Sequence, residues 1–353
     1  MSNSPSSYQD LFEAFKKSKE ERKSYDRDSK ILIIDGLNTF IRSFAVVPTR
    51  NDDGLHIGGI GGCLKSIGAA IRKFNPTRCV IVFDGKGGST KRKQIFGGYK
   101  SGRSSSTPYN RNYDFENEDR DEAMSRQVQR TLHYLEACPV TLISMDFVEA
   151  DDVMAYVCQQ LYPEKETILM SSDRDFLQLV SENTKVWSPT KKKVYDREKV
   201  LDEYGVPPRN MLVRRVVEGD KSDSIPGVKY VGEKRIQEKL GSLIHREGDA
   251  ITATDLLAYC EDRKDESATY QRLLDHKDVI VRNWQLMQLQ EVDISPEMKG
   301  RISNLMEADI GTLQFSLLQK YFMEDKLWAS IKNFKSWVSE TFKELNRFAQ
   351  MTH

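Results

Sequence analysis

Nine carboxylates in this chain stand where folding could gather them. Asp35 and Asp84 each close an apolar run, residues 31–34 and 80–83, and Asp173 follows a third, residues 167–172. In open α/β sheets ligands sit at the carboxyl ends of the strands. One strand-end aspartate is an ordinary helix cap, but three are harder to attribute to capping. Glu149, Asp151 and Asp152 open a helical stretch, with Glu149 and Asp152 on one side of it. The start of that helix offsets part of their charge. Asp173 and Asp175 share a face if the strand continues through them. Asp220 and Asp223, after Gly219, form a further pair three apart. Two unit charges 4 Å apart repel by about 4 kcal/mol at an effective dielectric near 20. Nine gathered carboxylates therefore require cations. Hard oxygen ligands select Mg²⁺ or Mn²⁺ over zinc. Two such ions about 3.5–4 Å apart can activate a water and stabilise the leaving oxygen of a phosphodiester.

Competing chemistries have less support. The chain has five histidines and no Ser/His/Asp or Cys/His arrangement. Asp173-Arg174-Asp175 also fits the D-x-D pattern that holds a metal–nucleotide sugar, but three letters carry little. A calcium loop starting at Asp220 fails because its twelfth position is Val231. The Gly58–Gly62 stretch lacks the third glycine of a dinucleotide fingerprint, and no strand precedes it.

Charge distribution points to the substrate. Between residues 86 and 103 lie six cations, Lys86, Lys91, Arg92, Lys93, Lys100 and Arg103, with no acid. Glycines interrupt the segment, and Tyr99 beside Lys100 could stack on a base. The Ser-, Asn- and Tyr-rich residues 104–118 extend it into a long excursion over the sheet's ligand edge. A second signal is Gly227-Val228-Lys229-Tyr230-Val231-Gly232, followed by Glu233-Lys234-Arg235. Its glycines frame a tight turn before a helix whose exposed N–H groups can hold a phosphate. Lys229, Lys234 and Arg235 would support that contact.

These side chains need elements to carry them. Continuous apolar runs at 31–34, 79–83, 140–143 and 167–170 predict strands buried on both faces of a parallel sheet. Helical stretches at about 58–74, 119–137 and 149–162 separate them, which predicts a doubly wound α/β fold. Residues 185–188 and 193–195 predict a hairpin. After Gly205, Pro207 and Pro208 open a helix running to about Glu218. Only short helices are expected beyond it. The expected organisation is an N-terminal extension (1–29), an α/β core (30–204), a helical domain (205–285) and C-terminal helices (286–353). Those last helices form either a third unit or a return against the sheet. Within the extension, Leu11, Phe12 and Phe15 make one apolar helix face.

Composition sets the outer bounds. Of 353 residues, 39% are hydrophobic and 30% charged, enough apolar material for a core under a polar surface. Lys plus Arg and Asp plus Glu stand at 53 each, so net charge decides nothing about a nucleic-acid partner. No stretch approaches the ~18 apolar residues of a membrane span. The opening residues are polar and charged, unlike a secretory signal. Five cysteines without a C-x-x-C pair suit a reducing cytoplasm and core positions.

Taken in order, Ile34-Asp35-Gly36-Leu37-Asn38, Val82-Phe83-Asp84-Gly85, Glu149-Ala150-Asp151-Asp152, Ser172-Asp173-Arg174-Asp175-Phe176 and Gly219-Asp220-Lys221-Ser222-Asp223-Ser224-Ile225-Pro226-Gly227 resemble the 5′-nuclease (flap endonuclease) family. The resemblance covers about residues 30–240 and is nearest to the bacteriophage branch, of the T-even phage ribonuclease H type. It implies a PIN-like core and a divalent-metal-dependent 5′→3′ exonuclease and flap endonuclease. Asp35, Asp84, Glu149, Asp151 and Asp152 match a first metal cluster, Asp175, Asp220 and Asp223 a second, with Asp173 between them. Arg42 matches a position near the scissile phosphate. Lys91, Arg92, Tyr99, Lys100 and Arg103 fall in an arch, about residues 86–125, over single-stranded 5′ ends. Gly227–Gly232 matches a helix–three-turn–helix that grips duplex DNA, with a K⁺ near Ser224. The implied partners are flapped or branched DNA and RNA–DNA hybrids, with a sliding clamp or single-stranded-DNA-binding protein. A monomer in the cytoplasm (the host's, if phage-encoded) is expected. A single-strand-specific PIN-type ribonuclease and a non-catalytic structure-specific DNA-binding factor are the alternatives.

Overall fold

The computed structural model describes residues 26–102, 119–246 and 248–351. The expected helix with Leu11, Phe12 and Phe15, the cation Arg103 and the excursion 104–118 lie outside the described residues.

Five parallel strands build the sheet: β1 (Lys30–Asp35), β2 (Arg78–Asp84), β3 (Thr141–Met145), β4 (Glu166–Met170) and β5 (Thr184–Ser188). The short β6 (Lys193–Tyr195) pairs antiparallel to β5, making the expected hairpin. The order is β3-β2-β1-β4-β5-β6. Ile31, Leu32, Ile33 and Ile34 of β1 are fully buried, because helices cover both faces of the strand.

The helices, in chain order, begin with α1 (Gly36–Val46), α2 (Gly58–Phe74), α3 (Thr90–Ile95), α4 (Arg120–Glu136) and α5 (Ala150–Tyr156). Then come α6 (Arg197–Tyr204), α7 (Met211–Glu218), α8 (Glu233–Ile244), α9 (Ala253–Asp262) and α10 (Ala268–Asp275). The last four are α11 (Lys277–Met287), α12 (Pro296–Glu307), α13 (Phe315–Glu324) and α14 (Phe334–Met351).

Two apolar clusters hold the layers together. One joins Leu32 and Ile34 to Phe40 of α1, Ile60 of α2 and Leu135 of α4, and takes in Phe322 of α13 and Phe342 of α14. The other joins Ile31 and Ile33 to Val153 of α5. It runs on through Val213 of α7, Leu240 of α8 and Leu273 of α10 to Ile302 of α12. The C-terminal helices α13 and α14 thus return against the sheet.

Two local features differ from the sequence reading. Strand β4 stops at Met170, so Asp173 and Asp175 do not share a strand face. They meet through a turn, in which the Asp173 N–H donates to Ser171 Oγ at 3.1 Å and the Asp175 N–H to Asp173 Oδ1 at 2.8 Å. In the helical region, Gly219–Asp220 (β7) and Ile225–Pro226 (β8) form an antiparallel pair, too short for any periodicity to announce. All five cysteines are buried and free. No helix among the described residues is long and apolar enough to cross a membrane.

Candidate active site

Parallel register brings the strand ends together. Asp35 lies opposite Val82 and Asp84 opposite Met145, so both carboxylates emerge at one edge of the sheet. Each also caps a helix. Asp35 Oδ1 accepts from the Asn38 N–H at 3.0 Å at the start of α1, and Asp84 Oδ1 accepts from the Ala150 N–H at 2.8 Å at the start of α5. Capping and clustering are therefore the same event: helix N-termini aimed at the sheet edge draw the acids there. Asp35 also accepts from Ser171 Oγ at 3.2 Å.

These acids open onto a cleft of about 770 Å³ that Asp35, Asp84, Asp151, Asp173 and Asp220 line together with Arg42 and Lys100. Carboxylate oxygens of Asp173, Asp175 and Asp220 lie within 4.8 Å of one another. Arg215, nearly fully buried, ties this group together: its Nε donates to Asp175 Oδ1 at 2.6 Å and its Nη2 to Asp220. Sequence reasoning passed over Arg215. Its signal was a pair of arginines inside the otherwise apolar 211–217 run. Asp223 is buried beside them, and its carbonyl accepts the Lys100 N–H at 2.8 Å.

Glu149 and Asp152 sit differently. The buried Arg92 guanidinium donates to Glu149 Oε2 at 2.7 Å and to Asp152 Oδ1 at 2.8 Å, and its Nε donates to the Leu286 carbonyl at 2.8 Å. Lys100 Nζ donates to Glu149 Oε1 at 2.9 Å, and Tyr99 OH to Glu149 Oε2 at 3.0 Å. The two acids do share one side of their helix start, but the structure turns Asp152 away from the cleft into a smaller hollow with Lys91 and Asp293. Nine acids on one open surface is thus corrected: intramolecular cations already pair with Glu149 and Asp152. The stacking expectation for Tyr99 is corrected as well. The residue is 3% exposed, because its hydroxyl finds a buried carboxylate. Lys91 pairs with Asp293, while Lys86 and Lys93 are exposed.

The titration of the acids follows their partners. Burial, with Asp84 and Asp173 nearby, pushes the Asp35 carboxyl up to about 7. Burial and Asp173 push Asp175 up to about 7 against the pull of Arg215. Asp151 rises well above the ordinary range through burial, then Asp173 and Asp35. Burial alone would raise Glu149, but Arg92 and Lys100 outweigh it and hold the carboxyl low. Among the described residues, desolvated negative charge without an ion-pair partner is therefore concentrated at Asp35, Asp151 and Asp173. An all-oxygen donor set carrying surplus charge suits a hard divalent cation.

Across the cleft, the β7–β8 pair leads into the Gly227–Gly232 turn. Val228 is buried, and its N–H donates to the Val217 carbonyl at 2.8 Å. Lys229, Gly232, Lys234 and Arg235 are exposed, and Arg235 donates to the Tyr230 carbonyl. Gly232 caps α8 without a side-chain acceptor, which leaves the helix's first N–H groups available to an anion. Ser224 Oγ accepts the Gly102 N–H at 2.9 Å.

A doubly wound sheet with acids at its carboxyl edge and a helical unit beside it is an arrangement suited to metal-assisted phosphodiester chemistry. Residues 30–205 match the model of the 5′-3′ exonuclease N-terminal resolvase-like domain. A 5′-3′ exonuclease of Aquifex aeolicus is 31% identical over 60% of this chain and 70% of its own length. DNA polymerase I of Bacillus caldotenax is 30% identical over 58% of this chain and 22% of its own length. In fold, the chain is similar to the bacteriophage T5 D15 flap endonuclease, solved as a complex with DNA and metal ions. The TM-score is 0.59 at 18% identity, over 85% of this chain and 99% of that one. T5 5′-exonuclease with bound zinc aligns with a TM-score of 0.58 over the same shares, also at 18% identity. The chain belongs to the 5′-3′ exonuclease family, and is a nuclease that hydrolyses phosphodiester bonds. These sequence relatives are bacterial, whereas these fold neighbours are phage proteins.

Proposed function

We propose that this chain is a divalent-metal-dependent 5′→3′ exonuclease and structure-specific flap endonuclease. In this reading it removes 5′ flaps or RNA primers during DNA replication and repair, from branched or flapped DNA and RNA–DNA hybrids, as a cytoplasmic monomer. One observation carries the reading: acids from the ends of β1 and β2, from α5, from the turn after β4 and from the β7–β8 pair line a single cleft that also holds Arg42 and Lys100.

Asp35, Asp84, Asp151, Asp173, Asp175 and Asp220 would hold Mg²⁺ or Mn²⁺. Such ions, when bound, acidify a water and stabilise the leaving oxygen of the phosphodiester. The protein's own part is positioning. Arg42 and Lys100 orient the scissile phosphate. Arg215 fixes Asp175 and Asp220, and Ser171 fixes Asp35. Glu149 acts through Lys100, whose ammonium it holds at the cleft wall. Lys229, Lys234 and the open start of α8 grip the duplex backbone. A K⁺ beside Ser224 would use the hydroxyl's second lone pair, the first being taken by the Gly102 N–H. A sliding clamp or a single-stranded-DNA-binding protein is the replication partner in this reading.

The test is a 5′-labelled flapped duplex incubated with Mg²⁺, with Mn²⁺ and with a chelator. Cleavage near the flap junction is expected only with the metals. Cleavage undiminished by chelation would remove the metal from the mechanism.

A further inference from the structure

Phe147 lies in the turn after β3, two residues before Glu149. The residue is 64% exposed, and its backbone is left-handed with φ 63°. Both features cost free energy for a bulky side chain, and the ring belongs to neither apolar cluster. The conformation instead presents the ring on a rigid mount. The Phe147 N–H donates to the Lys86 carbonyl at 2.9 Å, and the neighbouring Asp146 Oδ1 accepts the Lys86 N–H at 2.9 Å. The ring edge lies so near Gly87 that a Cβ there would stand 3.0 Å from it.

The ring borders a hollow of about 300 Å³ shared with Ile95, Lys91 and Arg92. Ile95 is itself partly exposed, and Lys86 and Lys93 project from the same basic segment. Arg92 on the hollow side and Lys100 on the cleft side both hold Glu149, so this one buried carboxylate links the two spaces. An exposed ring on a fixed mount, among lysines and beside the catalytic edge, suits a single strand. Every base has a face to stack, and phosphates follow the cations.

We propose that Phe147 is a stacking platform for an unpaired nucleobase of the 5′ strand, with Lys86 and Lys91 against the adjoining phosphates. The identity of that strand rests on the flap reading above. Binding is measured in chelator, without turnover, by fluorescence anisotropy of a labelled single strand with its bases or with abasic residues. Phe147→Gly, which suits the left-handed backbone and so keeps the fold, should weaken binding of the strand with bases roughly ten-fold or more. Abasic residues should weaken the wild type to a similar extent and the variant no further, while Phe147→Trp should retain wild-type affinity. Equal affinity of wild type and Phe147→Gly, or an abasic penalty that persists in the variant, would overturn the platform. A wild type that stacks bases but cuts no flapped duplex would uphold the platform and overturn the flap reading. A wild type that cuts flaps while Phe147→Gly binds strands normally would do the reverse.

Discussion

Arg92 and Lys100 reach the same carboxylate, yet their surroundings give them different work. Arg92 is buried and bonds Glu149, Asp152 and the Leu286 carbonyl, joining the basic segment to α5 and α11. Removing it takes the cation from half-buried Asp152 and one of two cations from buried Glu149, a change that costs up to about 3–5 kcal/mol. Arg92→Ala should therefore lower unfolding free energy in urea by that amount. It should leave the salt dependence of DNA binding unchanged, since its guanidinium is already engaged by Glu149, Asp152 and the Leu286 carbonyl. Lys100 lines the cleft and keeps one face toward it. Lys100→Ala should slow flap cleavage by about 100-fold, the scale of removing one preorganised donor from a reacting centre. Its unfolding free energy should also fall, but by less than that of Arg92→Ala, because Glu149 keeps Arg92 and Tyr99 as partners. The log–log salt slope for single-strand binding should fall by about 0.7. If Arg92→Ala stays stable and flattens the slope instead, the guanidinium must leave its acids to meet the substrate.

Among the elements, the β7–β8 pair decides whether Asp220 reaches the cleft. Gly219 is left-handed at φ 74°, and a Cβ on Gly227 would stand 2.2 Å from the Glu218 carbonyl oxygen. That contact is backbone against backbone, with no flexible side chain to yield. Gly227→Ala should cost about 1–3 kcal/mol in denaturant unfolding and weaken duplex binding, because the Val228–Gly232 turn must shift. Normal duplex affinity in a destabilised variant would separate the turn from DNA contact. The ease of reading elements from sequence followed burial. Double burial writes an apolar run, so β1, β2 and β4 stood out, as did Asp35 and Asp84 at the ends of the first two. The meeting of Asp173, Asp175 and Asp220 was not legible as geometry, because a turn and a buried arginine produce it. Nor was the exchange of roles between Tyr99 and Phe147. A tyrosine in a basic segment has the same letters whether its ring faces solvent or its hydroxyl seeks Glu149, and Phe147 adjoins a strand where an apolar residue passes for core.

For the molecule as a whole, the last helix decides whether the C-terminal third is an appendage or part of the sheet's own core. Phe342 and Leu345 of α14 lie in the cluster that holds Leu32, Ile34 and Phe83. The Trp337 ring packs so close to α2 that a Cβ on Gly68 would stand 2.8 Å from it. Meanwhile α12 joins the cluster on the opposite face through Ile302. Chain from 286 onward therefore seals both sides of the sheet that aligns Asp35 with Asp84. A separate unit would unfold separately; a shared core cannot lose one wall and keep the rest ordered. Phe342→Ala leaves a cavity in that wall and should cost about 3–5 kcal/mol. In native-state hydrogen exchange, the amides of β1 and of α14 should lose protection together, by the same free energy. Protection lost in α14 alone, with β1 unchanged, would make the C-terminal helices an independent unit. The acidic cleft would then owe its alignment to residues 30–285 alone.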